Sequence, residues 1–177
     1  MIMQTALEFN ITRSNVASQG SGESGEQVHI RLALDFLKTH KEVALATCEG
    51  NLPQLRAFQI MKAEGNRLYF ATSSRKSVWR QLHENPNIQI LATDNRISVR
   101  CAGMVRFDVP DAVQHEIYDT NPVLSRLYEH YTDLVYFVLP IAEMDYFDLG
   151  PTPPIFKHFD LMTGEVGDGV VGERFSK

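Results

Sequence analysis

The chain is short of cysteine, of basic charge and of long apolar runs, and each shortage removes a class of protein. Its two cysteines, Cys48 and Cys101, form no CxxC pair and have no histidine at metal-ligand spacing, so a reducing compartment is the simpler reading. The six histidines contain no HxxxH or HxH pair, and no metal site is expected. No stretch is long and apolar enough to cross a bilayer. The opening MIMQTALEFNITRSN has neither a basic region nor an uninterrupted apolar run, and the expectation is a soluble cytoplasmic protein without a membrane partner. Against 22 acidic residues stand 17 basic ones, a net charge of -5. No global field draws nucleic acid, and an anionic ligand has to be captured locally.

What is present suits one domain: 177 residues, 44% of them hydrophobic. Residues 1–27, ending in SQGSGESGEQ, are too polar and too rich in Gly and Ser to bury much area and read as a flexible lead-in. Ile30, Ala33, Leu34 and Leu37 then mark one face of a helix. EVALATC, QLRAFQIMKA and LYFAT, separated by turn residues, predict an antiparallel meander. A short helix follows over SSRKSVWRQLHEN, with Val78, Trp79 and Leu82 on one side, and stops before Pro86. NIQILAT and ISVRCAGMVRFDV predict a hairpin, DAVQHEIYDT and VLSRLYEHY predict helices, and LVYFVLP and AEMDYFDLG predict strands. Residues 151–177 read as a tail of loop with one added strand at IFKHFDL, packing on the barrel or on a partner. Strand meanders with a few inserted helices predict an α+β barrel or rolled sheet over residues 28–150.

The densest chemistry lies at Thr72-Ser73-Ser74-Arg75-Lys76, where hydroxyls and cations sit between a strand and a helix start. Such a turn presents free amides, hydroxyl donors and fixed positive charge to one phosphate. The alternative is an ordinary solvated helix start. Arg56, on a half-buried strand that leads through a hairpin into LYFAT, needs an anion, and a neighbouring carboxylate is the plain choice. Asp145 and Asp148 read as solvated carboxylates of an edge strand, with acid–base work as the alternative. Cys48 and Cys101 read as small core residues, and the tyrosines and phenylalanines of the C-terminal half as core and interface.

The order R-x-F-Q-x-M, then L-Y-F-x-T-S-x-x-K into a helix ending x-Q-L-x-x-N-P, resembles the pyridoxamine-phosphate-oxidase-like split-barrel family over residues 30 to 150. The resemblance implies an antiparallel six-stranded split β-barrel with flanking helices, a homodimer, and FMN between the subunits. Residue by residue it implies phosphate cations at Arg56 and Lys76, with Arg75 beside them. It further implies donors at Ala71, Thr72, Ser73 and Ser74, and a strand Arg56, Ala57, Phe58, Gln59 to Met61 along the flavin ring. With Gly103 as the family's glycine, it puts Ser98 and Arg100 where a partner subunit reaches the flavin. The C-terminal Trp and Arg motif of true pyridoxamine phosphate oxidases is missing, since the one tryptophan is Trp79. The expectation is an FMN-dependent oxidoreductase for a small substrate other than a B6 vitamer. A non-catalytic flavin- or haem-binding module, the latter through His158, and a deazaflavin-dependent reductase are the rivals.

Overall fold

The apolar stripe of Ile30 to Leu37 belongs to a helix that starts earlier than the polar lead-in suggests. In the computed structural model, which describes residues 24–169, helix α1 spans Gly25–Thr39 and is capped by Ser24. Ser24 Oγ accepts from the Gln27 amide and Gln27 Oε1 accepts from the Ser24 amide, both at 3.3 Å. This reciprocal box satisfies two helix-end donors and fixes the start inside the segment read as flexible. Residues 1–23 of that segment and 170–177 of the tail lie outside the described residues.

Strands β1 (Glu42–Glu49), β2 (Leu52–Gln59), β3 (Lys62–Glu64) and β4 (Arg67–Thr72) come next, followed by helix α2 (Ser77–Glu84). β5 (Asn87–Thr93), β6 (Ile97–Met104), helices α3 (Asp111–Thr120) and α4 (Pro122–Leu127), β7 (Val135–Pro140), β8 (Glu143–Asp148), β9 (Ile155–Asp160) and β10 (Val166–Asp168) complete the described chain. The fold is α+β and sheet-rich, as expected. Its strands form a seven-stranded sheet in the order β10-β9-β8-β6-β5-β1-β2 and a three-stranded sheet β3-β4-β7, rather than six strands in one barrel. The tail supplies β9 and β10, which extend the larger sheet beyond β8.

Two other expectations need correction. The run QLRAFQIMKA is not one strand: the chain leaves the large sheet at Ile60, whose amide donates to Lys41, and enters the small one at Met61, whose amide donates to Tyr69. The meander is broken too, because among the described strands β2 pairs only with β1, as an edge strand, while β4 pairs with β3 and β7.

Alternation explains the layers. On β1, Val43, Leu45 and Thr47 face inward while Ala44, Ala46 and Cys48 are partly open. β4 reads as a continuous apolar run because both its faces are covered. Leu68 and Phe70 join the main core, where Phe70 stacks on Phe137 at 5.1 Å, and Tyr69 and Ala71 join a second cluster with Ile117, Leu124 and Tyr136 under α3 and α4. The two sheets approach closely at Gly103, where an added Cβ would lie 2.5 Å from the Pro140 carbonyl oxygen. No described helix is long and apolar enough to cross a membrane.

Candidate functional site: the start of helix α2 and the Arg56 network

Helix α2 begins without the chemistry that helix starts usually carry. Its N-cap residue is Lys76, no side chain caps it, and its first turn holds no acidic residue. The first amides and the positive end of the helix dipole therefore have no side-chain partner, and the residues just before the helix, Arg75 and Lys76, are exposed cations without an ion-pair partner among the described residues. The preceding turn is tight: the Lys76 amide donates to the Ser73 carbonyl at 3.0 Å and the Arg75 amide to Ser73 Oγ at 3.3 Å. Thr72, at the end of β4, is 3% exposed, and its hydroxyl has no hydrogen-bond partner. A buried hydroxyl without a partner costs about 1–3 kcal/mol.

Arg56 reaches the same helix from β2, one turn further along. Its Nη1 donates to Thr47 Oγ1 and its Nη2 to Gln81 Oε1, each at 2.8 Å. Thr47 donates to the same Gln81 oxygen at 2.7 Å. Gln81 Nε2 in turn donates to Glu49 at 3.1 Å, and Glu49 is also held by Arg80. No carboxylate pairs with Arg56 among the described residues, so the plain alternative of a salt bridge is not met: its near neighbours are neutral oxygens. Burial lowers the Arg56 pKa, and the more distant Glu49 opposes that shift.

The remaining assigned residues divide by position. Ala57 and Gln59 are exposed on β2, whereas Phe58 turns inward, 5.9 Å from the rings of Phe70 and Phe137. Ala71 is buried in the second cluster and Met61 packs against it. Ser74 is exposed at the turn. Ser98 and Arg100, on β6, are separated from Arg56, on β2, by β5 and β1 within one chain. Three strand spacings amount to about 14 Å. Ser98 instead bonds Thr93 at 2.8 Å, and Arg100 Nε donates to Asp145 at 2.6 Å.

The carboxylates of β8 are not solvated edge groups, since β8 lies between β6 and β9. Asp145 accepts from Arg100 and also meets His158 Nδ1 at 2.6 Å. Asp148, 4% exposed, takes both prongs of Arg96 at 2.7 and 2.9 Å and the Gly150 amide at 2.8 Å. The Arg96 hydrogen bonds outweigh burial and hold its carboxyl down at about 2. Cys101 is buried, and desolvation pushes its thiol up to about 12, which makes it an inert core group. No cluster of His, Cys, Asp and Glu suited to a metal occurs among the described residues. Thr47 and Gln81 were missed as site residues, although each is a polar residue on an otherwise apolar face, Thr47 in step with Val43 and Leu45, and Gln81 beside Val78 and Leu82.

Comparison with known proteins gives the family of the chain. The family described as pyridoxamine 5'-phosphate oxidase matches residues 32–152. A protein related to general stress protein 26 of B. subtilis, from Clostridium acetobutylicum, has 13% identity and a TM-score of 0.65, covering 78% of this chain and 98% of its own. A heme binding protein from Mycobacterium smegmatis has 17% identity and a TM-score of 0.61, covering 76% of this chain and 58% of its own. A pyridoxamine 5'-phosphate oxidase-related, FMN binding protein from Nostoc punctiforme PCC 73102 has 15% identity and a TM-score of 0.58, covering 86% of this chain and 100% of its own. At these identities the likeness is one of fold. No curated protein matches significantly. The family match spans most of the chain, including the Arg56 strand and the α2 start: the protein belongs to the pyridoxamine 5'-phosphate oxidase family of split barrels.

Proposed function

We propose that the protein is an FMN-binding oxidoreductase whose cofactor phosphate is held at the start of α2. The observation that carries this reading is a helix start with no acid and no cap, preceded in the chain by Arg75 and Lys76 without ion-pair partners and by a Thr72 hydroxyl without a hydrogen-bond partner among the described residues. These groups suit a phosphate dianion in charge and in donor chemistry. Lys76 and Arg56 supply charge, Thr72, Ser73 and Ser74 supply donors, and the free edge of β2 offers backbone groups to a flat polar ring. When bound, the flavin supplies hydride transfer. The chain's own part is to bind and orient it, and to exclude water through the half-buried surface around Phe58 and Met61.

The site is completed by a second copy in this reading. Ser98 and Arg100 lie three strand spacings from Arg56 in one chain, and the outer face of the large sheet carries open apolar groups that a partner would cover: Leu55 is 72% exposed and Leu91 41%.

One observation favours a second reading. His158 Nδ1 is engaged by Asp145, so Nε2 is the ring's free nitrogen, the arrangement carboxylate-oriented imidazoles use to ligate a metal or haem iron. The absorption spectrum of the protein purified from cells grown with riboflavin and a haem precursor separates the two. Flavin bands released as FMN on denaturation are expected. A Soret band that disappears in His158→Ala, with no flavin, would favour haem instead.

A further inference from the structure

We propose that Gln81 sets the charge of the anion site: it positions the Arg56 guanidinium with a neutral oxygen and so keeps its positive charge available to an incoming oxyanion. This inference rests on the reading that Arg56 and Lys76 face the FMN phosphate.

A half-buried arginine is normally matched by a carboxylate, because an uncompensated charge out of water is costly. The carboxylate here is at hand but kept one residue away. Glu49 sits on the far side of Gln81 and is held there by Gln81 Nε2 and Arg80, while the amide oxygen faces Arg56 and Thr47. The amide cannot turn over without setting its NH2 group against two donors and its oxygen against a carboxylate, so the network dictates its orientation. Gln81 is 1% exposed and Thr47 2%, which makes the arrangement rigid and dry. Of the five N–H donors of a guanidinium, two are used for positioning by Nη1 and Nη2. The others have no hydrogen-bond partner among the described residues. A glutamate at position 81 would hold Arg56 equally well and cancel its charge. The choice of amide over acid is thus the specificity-determining element, and the ligand class it favours is a phosphate monoester rather than a neutral sugar alcohol.

The test is a carboxylate–amide exchange, Glu49→Gln with Gln81→Glu, which leaves the net charge unchanged and moves the acid from the far side of Gln81 to Arg56. Dissociation constants for FMN and riboflavin, with thermal midpoints, are measured on the wild type, the exchange variant and Thr47→Val. The exchange should weaken FMN by about tenfold or more and alter riboflavin less than about twofold. Thr47→Val, which removes one of the two acceptors, should lower the FMN-to-riboflavin preference by a smaller factor. The preference is the readout, because a loss of fold would weaken both ligands together, and Thr47→Val serves if the exchange variant does not fold. A wild-type preference for FMN that survives in the variants overturns the role of Gln81 alone. A wild type that binds FMN no better than riboflavin overturns the phosphate site and this inference with it.

Discussion

Asp148 shows how much one side chain contributes when its partners are fixed. Its carboxyl sits at about 2 against an ordinary value of 3.8, chiefly through the hydrogen bonds from Arg96. The folded state therefore binds this proton less readily than the unfolded chain. The resulting stability is present in full above the unfolded value and is lost as pH falls through the folded one. It amounts to about 2 kcal/mol, at 1.36 kcal/mol per pKa unit. Asp148→Asn should accordingly lower urea stability at pH 7 by about 2 kcal/mol and flatten the acid decline between about pH 4 and pH 2. Urea midpoints at pH 7, 4 and 2.5 measure this, and an equal acid decline in both proteins would show that Asp148 is not the titrating group.

Asp148 also marks a limit of sequence reading. It looked like a solvated edge carboxylate because β9, which covers β8, lies in a tail full of Gly and Pro. Its partner Arg96 is 52 residues away. The cations and hydroxyls of residues 72–76 were legible for the opposite reason: they are contiguous, and their meaning follows from the strand-to-helix turn. Arg56 was legible as a cation needing a partner. Its actual partners, Gln81 and Thr47, are 25 and 9 residues away and come together only when β1, β2 and α2 pack.

At the scale of elements, the strands were legible from alternation, but their neighbours were not. Ile60 and Met61 continue an apolar run, and nothing in the run marks the crossing from one sheet to the other. Only the backbone bonds to Lys41 and Tyr69 do so. The approach of β6 to the β7–β8 connection is similarly invisible, yet it carries a sharp requirement at Gly103. A Cβ there would lie 2.5 Å from the Pro140 oxygen and 3.0 Å from Leu139 Cδ1. Backbone on one side and a fully buried leucine on the other leave little room to yield. Gly103→Ala should cost about 1–3 kcal/mol, read as a drop in thermal midpoint, with Gly167→Ala as a control because a Cβ at Gly167 meets nothing within 4 Å. Equal midpoints for the two variants would mean that the sheets can part at this crossing without cost.

For the whole molecule, the open question is what covers the outer face of the large sheet. Ala57, Ala44 and Leu91 lie in one row across β2, β1 and β5, with Leu55, Ala46 and Gln89 in the next. Small and apolar side chains on an exposed sheet face suit burial against a second copy. A permanent interface of that kind buries more than about 2,000 Å². Sedimentation at low micromolar protein should give a dimer in the presence of FMN, and Leu91→Arg should shift it to monomer. A wild-type monomer that binds FMN with full affinity would contradict the shared site.

In the proposed function the start of α2, with Arg56, holds a phosphate. Titration of FMN and of riboflavin into the wild type, Arg56→Ala and Lys76→Ala tests it directly, because the ligands differ only in the phosphate. A hydrogen bond to a charged group contributes about 1.5–3 kcal/mol. Each substitution should therefore weaken FMN by about tenfold to a hundredfold and leave the weaker riboflavin binding nearly unchanged. Equal losses for FMN and riboflavin would contradict the account.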